Sequence, residues 1–302
     1  MRCPSCDSLS VEQLALRIEG DIVLRRCRSC GLIFHLGFAD ADVVQNYYAH
    51  YYDRPDVLAF NPITDKRYRA LIAQFEPYRT AGRILDVGCG SGHLLSVALA
   101  HGWEAHGVEV AAGPLEELRK RGIHCFHGEL KAARYASGSF DVVHCSEMLE
   151  HVLAPAALLG EIGRVLRDGG LLYLTTPNFD SLSRRLLGAK WRVLCREHVL
   201  YFTPRVLART LSRAGFDPVT TTSRNLDPTE CRKLFQRRRL PSTSGFQATS
   251  IDHLRDRLEL NPALRLMKYA VNGLLSATAS GDTIIARAVK APAARSRPEA
   301  SR

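Results

Sequence analysis

Ile84-Leu85-Asp86-Val87-Gly88-Cys89-Gly90-Ser91-Gly92 is the stretch on which the fold turns. Ile84 to Val87 form a short apolar strand carrying one carboxylate. Glycines follow at every second position, and Leu94, Leu95, Ala98 and Leu99 then recur at helical spacing. Glycines between a strand and a helix let the backbone approach a ligand and offer it the first N–H groups of the helix. A dinucleotide site would use such a turn for pyrophosphate, and two details argue against that here. His93 occupies the last glycine position of G-x-G-x-x-G, and Asp86 would repel a diphosphate while attracting an amino group or a sulfonium.

Outward from this turn, strand and helix alternate. Glu104 to Val110 read as a second strand, Leu115 to Arg121 as a helix, Ile123 to Phe126 and Phe140 to Cys145 as further strands. A helix over Ala156 to Leu166 is expected to stop at Gly169-Gly170 before a strand from Leu171 to Thr176. Thr203-Pro204 opens another helix ending at Gly215, followed by strands near Asp217 to Thr222 and Thr283 to Val289. The class is α/β, with a mainly parallel, Rossmann-like sheet covered by helices on both faces. Glu109 ends the second strand, where an acid accepts hydrogen bonds from both hydroxyls of a ribose. A phosphate-free nucleoside with an amino-acid tail, S-adenosylmethionine, suits this pair of acids.

The ordered motifs Ile84 to Gly92, Gly107 to Val110 (GVEV), Ser139 to His151 (SFDVVHCSEMLEH) and Val165 to Thr176 with Pro177-Asn178 resemble those of the class I S-adenosylmethionine-dependent methyltransferases, over residues 65–222. The resemblance is to small-molecule O- and C-methyltransferases, including those of quinone biosynthesis. It implies a seven-stranded sheet with an antiparallel last strand. It also implies that Asp86, Gly88, Cys89 and Gly90 form the cofactor loop, that Glu109 binds the ribose and that Val110 lies beside the adenine. By the same resemblance Glu129 and Leu130 contact adenine, and Ser146, Glu147 and Met148 flank the cofactor tail. Blander readings stand beside these: Asp86 as a helix cap, Glu129 as a solvated loop acid, Glu150 as a helix-surface charge.

Nine cysteines, an odd number, argue against a closed disulfide framework. Cys3-Pro4-Ser5-Cys6 and Cys27-Arg28-Ser29-Cys30 are two knuckles able to complete a tetrahedral thiolate site for structural zinc. A hairpin with strands Val11 to Leu16 and Ile22 to Leu24, turning at Glu19-Gly20-Asp21, would join them. A redox dithiol is the alternative, though such a motif normally occurs singly. The other five cysteines read as small core residues. This gives a zinc ribbon at 1–34, resembling that of sugar and natural-product methyltransferases. A connecting segment with packing tyrosines spans 35–64, the methyltransferase domain spans 65–290, and a disordered basic tail spans 291–302. A helical insertion at about 225–280 carries a basic helix (Arg232, Lys233, Arg237, Arg238, Arg239) and an apolar stripe (Leu264, Met267, Val271, Leu274, Leu275), read as core or dimer packing ahead of a cover for an acceptor or a membrane contact.

Methyl transfer from a sulfonium mainly requires an acceptor held in line, worth about 7–11 kcal/mol. A hydroxyl acceptor also needs a general base. His198 is the first candidate and His151 the second, against local structural roles for both; Tyr201 is a weaker acceptor contact. The expected acceptor is a small molecule, a hydroxyl or carbon of a sugar, quinone, polyketide or glycan precursor. An RNA methyltransferase using the ribbon and the basic insertion is the alternative, because 41 Lys+Arg against 31 Asp+Glu give a net charge of +10. Against RNA, the Asn/Asp-Pro-Pro-aromatic motif of base-amino methylation is missing after the fourth strand. A non-enzymatic nucleoside-binding module is disfavoured by the intact loop and acids. Nothing points to DNA, and a homodimer is compatible with the apolar stripe. With no apolar run of about 18 residues and no signal-peptide core, the expectation is a cytoplasmic protein without a transmembrane segment.

Overall fold

The computed structural model describes residues 1–18, 21–37, 62–226 and 262–292. The turn residues Glu19 and Gly20, most of the connecting segment, the basic helix and the tail beyond 292 lie outside the described residues. Two sheets organise what is described. The strands of the larger are β4 (Arg83–Val87), β5 (Glu104–Glu109), β6 (His124–His127), β7 (Phe140–Ser146), β8 (Leu166–Pro177), β10 (Phe216–Arg224) and β11 (Thr283–Lys290). Their order is β10-β11-β8-β7-β4-β5-β6, with β11 antiparallel to both neighbours and the β8-β7-β4-β5-β6 pairings all parallel. Such strands must be apolar on both faces, and Phe140 to Cys145 are all buried.

One face packs on Leu159, Ile162, Val165, Leu207 and Leu211 from helices Pro155–Val165 and Pro204–Arg213. The other packs on Ile72, Phe75, Leu94, Leu95, Ala98, Leu115 and Leu118 from helices Pro62–Phe75, His93–Ala100 and Leu115–Lys120. Thr203 caps the helix it precedes, its hydroxyl accepting from Val206 N at 3.3 Å.

Gly169-Gly170 is not a helix stop. The helix ends at Val165 and β8 begins at once, with both glycines inside the strand. They form an irregularity: Phe140 pairs with Leu166, but Val142 pairs with Leu171. Gly169 sits at φ +73°, and a Cβ on Gly170 would stand 2.9 Å from the Arg167 carbonyl oxygen and 3.1 Å from that of Asp141. The bend brings Arg167 onto Asp141, Nε to Oδ1 at 2.7 Å. Asp141 Oδ2 also accepts from the N–H groups of Thr80 (2.9 Å) and Gly82 (2.7 Å), fastening the turn before β4.

The smaller sheet has the order β1-β2-β3-β9, formed by β1 (Val11–Ile18), β2 (Ile22–Cys27), β3 (Ile33–Phe34) and β9 (Leu200–Tyr201). The expected hairpin is present, and its sheet is completed by a strand from far along the chain. Ile18, Ile22, Leu24 and Ile33 share one apolar cluster with Phe179, Trp191, Leu194 and Tyr201.

Helix Pro262–Ala277 buries only part of the apolar stripe within this chain. Leu275 is buried, whereas Leu274 is 66% exposed and Met267 54% exposed. Among the described residues, no helix is long and apolar enough to cross a membrane.

Asp141 supplies a test of the sheet. Burial opposes its charge, but the bonds from Thr80, Arg167, Gly82 and Arg83 outweigh that and hold its pKa below the usual aspartate value. Its contribution is therefore full above the ordinary carboxylate range and is lost as pH falls through the depressed pKa. Urea unfolding at pH 7 should show Asp141→Asn less stable by about 2–4 kcal/mol. The gap from wild type should close in acid.

Candidate active site

The carboxyl ends of β4, β5, β6 and β7 meet along one edge, the usual ligand position in an open α/β sheet. Gly88, Gly90 and Gly92 all have positive φ (+76°, +50° and +65°), and this lets the chain turn tightly enough to place the helix start beside β5. A Cβ on Gly92 would lie 2.4 Å from Leu118 Cδ2. Gly88 N and Cys89 N both donate to the Val108 carbonyl, at 2.8 and 3.2 Å. The Cys89 side chain is buried against Gly107, whose added Cβ would meet its Sγ at 2.7 Å. Cys89 thus holds the loop in place through both its backbone, whose carbonyl accepts from Gly92 N at 2.8 Å, and its buried thiol.

Glu109, 5% exposed, closes the arrangement. Its Oε2 accepts from Gly90 N and its Oε1 from Ala111 N, both at 3.0 Å. A carboxylate has about four lone-pair positions, more than these two bonds use. Asp86 is equally buried, and its Oδ1 meets His144 Nδ1 at 2.6 Å. That contact replaces the helix-cap reading: the N-cap is Gly92, with no side-chain bond. His144 escaped the sequence reading, although a histidine inside the run FDVVHC is itself a signal. Its ring stacks on Tyr173 at 5.7 Å and 10°.

The other cofactor candidates divide. Val110 is 44% exposed beside the loop, and Glu129 is exposed at the start of the 3-10 turn Leu130–Ala133, so both have surface to offer. Leu130 is 2% exposed, and its side chain lies in the core with Val108 and Leu149. Ser146 Oγ lies 2.7 Å from Thr175 Oγ1, and that hydroxyl donates to Glu147 Oε1 at 2.9 Å. Glu147 faces open space at φ +49° yet is ringed by protein, which raises its carboxyl above the usual range against the pull of Thr175. The Met148 side chain packs on Gly88.

His151 and His198, 47 positions apart in the chain, stand with ring centroids 4.7 Å apart. Each Nδ1 is bonded to a backbone carbonyl, Glu197 O for His151 and Val193 O for His198, both at 2.9 Å. Burial and the neighbouring His151 lower His198 to about 3, so its imidazole is neutral and a weak proton acceptor. Glu150 joins them and is no surface charge: it is 1% exposed, Oε2 accepts from Thr176 Oγ1 at 2.9 Å, and Oε1 has no hydrogen-bond partner. One ligand atom from each of Glu150, His151 and His198 falls within 4.8 Å of the others. Imidazoles fixed through the second nitrogen, beside a carboxylate, are a donor set suited to a divalent cation. Tyr201 does not reach this group; it is 2% exposed and its hydroxyl donates to Cys195 O at 3.2 Å.

At the amino end of the chain, the Sγ atoms of Cys3 and Cys30 are 3.6 Å apart, as are those of Cys6 and Cys27, and all four lie within 4.8 Å. A tetrahedron with Zn–S near 2.3 Å has sulfur–sulfur edges of about 3.8 Å. A separate depression of about 560 Å³, lined by His106, Arg119, His124 and Tyr135 among others, lies toward the amino ends of β5 and β6, away from this chemistry.

Residues 60–221 match the family described as "Methyltransferase domain". A protein named ubiquinone biosynthesis O-methyltransferase from Aromatoleum aromaticum is 32% identical over 161 residues, 48% of this chain and 68% of that protein. One of the same name from Aeromonas salmonicida is 31% identical over 147 residues, 44% of this chain and 62% of that protein. Solved structures share the fold at low identity. A putative sarcosine dimethylglycine methyltransferase from Galdieria sulphuraria aligns with a TM-score of 0.51 and 15% identity, over 82% of this chain and 98% of that one. A SAM-dependent methyltransferase from Archaeoglobus fulgidus aligns at 0.50 and 18%, over 75% and 94%. With the match extending over half its length and the sheet carrying a single reversed strand, the chain belongs to the class I S-adenosylmethionine-dependent methyltransferases.

Proposed function

We propose that this enzyme moves the methyl group of S-adenosylmethionine to an oxygen of a small-molecule acceptor. The observation that carries the cofactor half is Glu109 bonded into the glycine turn, with Asp86 buried beside it. In this reading Glu109 takes the ribose hydroxyls, Gly88 and Gly90 let the backbone approach the amino-acid tail, and Val110 and Glu129 border the adenine. The Asp86–His144 pair sets the polarity of the loop floor.

Ser146, Glu147 and Met148 lead from the cofactor tail toward Glu150, His151 and His198, which form the acceptor side. The transfer forms a carbon–oxygen bond as the carbon–sulfur bond breaks, and the hydroxyl proton must leave to a nearby group. Glu150 and His151 are the groups positioned for it, with His198, the weaker acceptor, holding the hydroxyl beside them. A divalent cation held by these three would, when bound, lower the pKa of an acceptor hydroxyl. Oxygen as the acceptor atom is supported by the relatives, whose names specify O-methylation in ubiquinone biosynthesis. Their names do not favour RNA.

We assign structural zinc to Cys3, Cys6, Cys27 and Cys30, whose sulfur spacing fits a tetrahedral site with no open position. We take the ribbon at 1–34 and the catalytic domain from about residue 65 as the divisions of the chain, with the insertion at about 225–280 lying largely outside the described residues.

Three measurements test this reading. Calorimetry should show S-adenosylmethionine binding weakened about 10–100-fold in Glu109→Gln, the loss of charge-assisted hydrogen bonds; unchanged affinity would remove Glu109 from the cofactor site. Label from methyl-tritiated cofactor should enter the small-molecule or lipid-soluble fraction of a cell extract, about 100-fold more slowly with Glu150→Gln. Label appearing in RNA would contradict the acceptor assignment. Elemental analysis of reduced, intact protein should give about one zinc per chain, lost in Cys6→Ser; a zinc-free wild type would refute the ribbon.

A further inference from the structure

The segment 192–199 that carries Glu197 and His198 is suspended between two bodies. On its cleft side, Glu197 O accepts from His151 Nδ1 at 2.9 Å. On its other side several anchors belong to the amino-terminal ribbon, beside the packing of Leu194 on Phe179 and Trp191 and the bond from the Tyr201 hydroxyl to Cys195 O. β3 pairs antiparallel with β9, Ile33 opposite Tyr201 and Phe34 opposite Leu200. His35 N donates to Val199 O at 3.0 Å. Arg196 grips Asp21 with one nitrogen on both carboxylate oxygens, at 3.0 and 3.1 Å. The second cysteine knuckle leans on the same region, since a Cβ on Gly31 would meet Val206 Cγ2 at 3.1 Å.

His35 is the most informative of these residues. It is fully buried, and its Nδ1 accepts the Gly37 N–H at 3.2 Å. That bond fixes the tautomer, so Nε2 carries the hydrogen. Among the described residues Nε2 makes no well-formed hydrogen bond, while the backbone groups of Cys195 and His198 act on the ring and the Tyr201 ring lies 6.4 Å away, centroid to centroid. Because a buried N–H is costly to leave unpaired, a ring buried beside this backbone favours a segment position that brings one of those carbonyls into bonding range.

We infer that the ribbon is part of the acceptor half of the active site, with His35 as the positioning residue that sets His198 through the 192–199 segment. The inference rests on the proposed acceptor role of His198. Its physical basis is the division of labour between the sheets: the cofactor cradle is built on the main sheet, chiefly β4, β5 and the turn between strand and helix, whereas His198 hangs from a smaller sheet whose fold depends on the four thiolates. Loss of metal from the ribbon should therefore loosen His198 and leave the cradle intact.

The test is amide hydrogen exchange on the full chain, with calorimetry of S-adenosylmethionine on the same samples. Stripping zinc with a chelator should speed exchange at 193–202 by about tenfold or more, with 84–92 and 104–111 unchanged and cofactor affinity within about twofold. His35→Ala, with zinc retained, should reproduce the loosening and move the ring-proton resonance of His198. His35→Gln, which keeps an N–H donor, should restore most of the protection. Unchanged exchange at 193–202 in both stripped protein and His35→Ala would overturn the inference. So would loss of protection spreading to 84–92 and 104–111, which would make the ribbon a support for the whole fold. Because exchange and cofactor affinity are read without any acceptor, failure of the methyl-transfer reading and failure of this inference give different results.

Discussion

The Glu109 carboxylate, accepting the Gly90 and Ala111 N–H groups at 3.0 Å each, is the contact on which the rest of the site depends. It exists because β4 and β5 lie side by side in parallel, so the turn after one strand meets the last residue of the next. The glycines make the meeting sterically feasible. Three of them occupy positive φ, and Gly107 leaves room on β5 for the buried Cys89 thiol. A negative charge is thus held rigidly at the rim of a turn in which every second residue is glycine. Such a rim favours a cationic, phosphate-free nucleoside over a diphosphate, since Asp86 adds a second buried carboxylate at the floor.

The acceptor side follows a different principle. Glu150, His151 and His198 are brought together by two separate loops, one after β7 and one before β9. The first is short and rooted in the main sheet. The second is held by the small sheet, through β3, His35 and Asp21. Cofactor and acceptor groups therefore answer to different parts of the fold. In the proposed function this separation keeps the sulfonium chemistry on the main sheet while the acceptor geometry is set by a module joined at the other end of the chain.

Much of the fold was legible in the sequence because its signals are local. The apolar strands, the Thr203-Pro204 helix start and the glycine turn each declare themselves within a few residues, and the reversed last strand came with the family resemblance. Gly169-Gly170 misled because a glycine pair after a helix ordinarily ends it; here the pair makes room for Arg167 to reach back to Asp141, a contact no local pattern shows. The gathering of Cys3, Cys6, Cys27 and Cys30 was readable from spacing, but the pairing of β3 with β9 across more than 160 residues was not. Glu150 looked equally like a surface charge, since only the fold reveals that Thr176 and two imidazoles surround it. The same holds for Asp86: its partner His144 lies on a neighbouring strand, 58 positions away.

A crystal structure of the protein soaked with S-adenosylhomocysteine would test the central claim most directly. The account predicts the ribose hydroxyls on Glu109, the amino-acid tail over Gly88 and Gly90, and the thioether sulfur directed toward Glu150, His151 and His198. A ribose placed elsewhere, or a loop that stays empty with the compound in large excess over the protein, would contradict it.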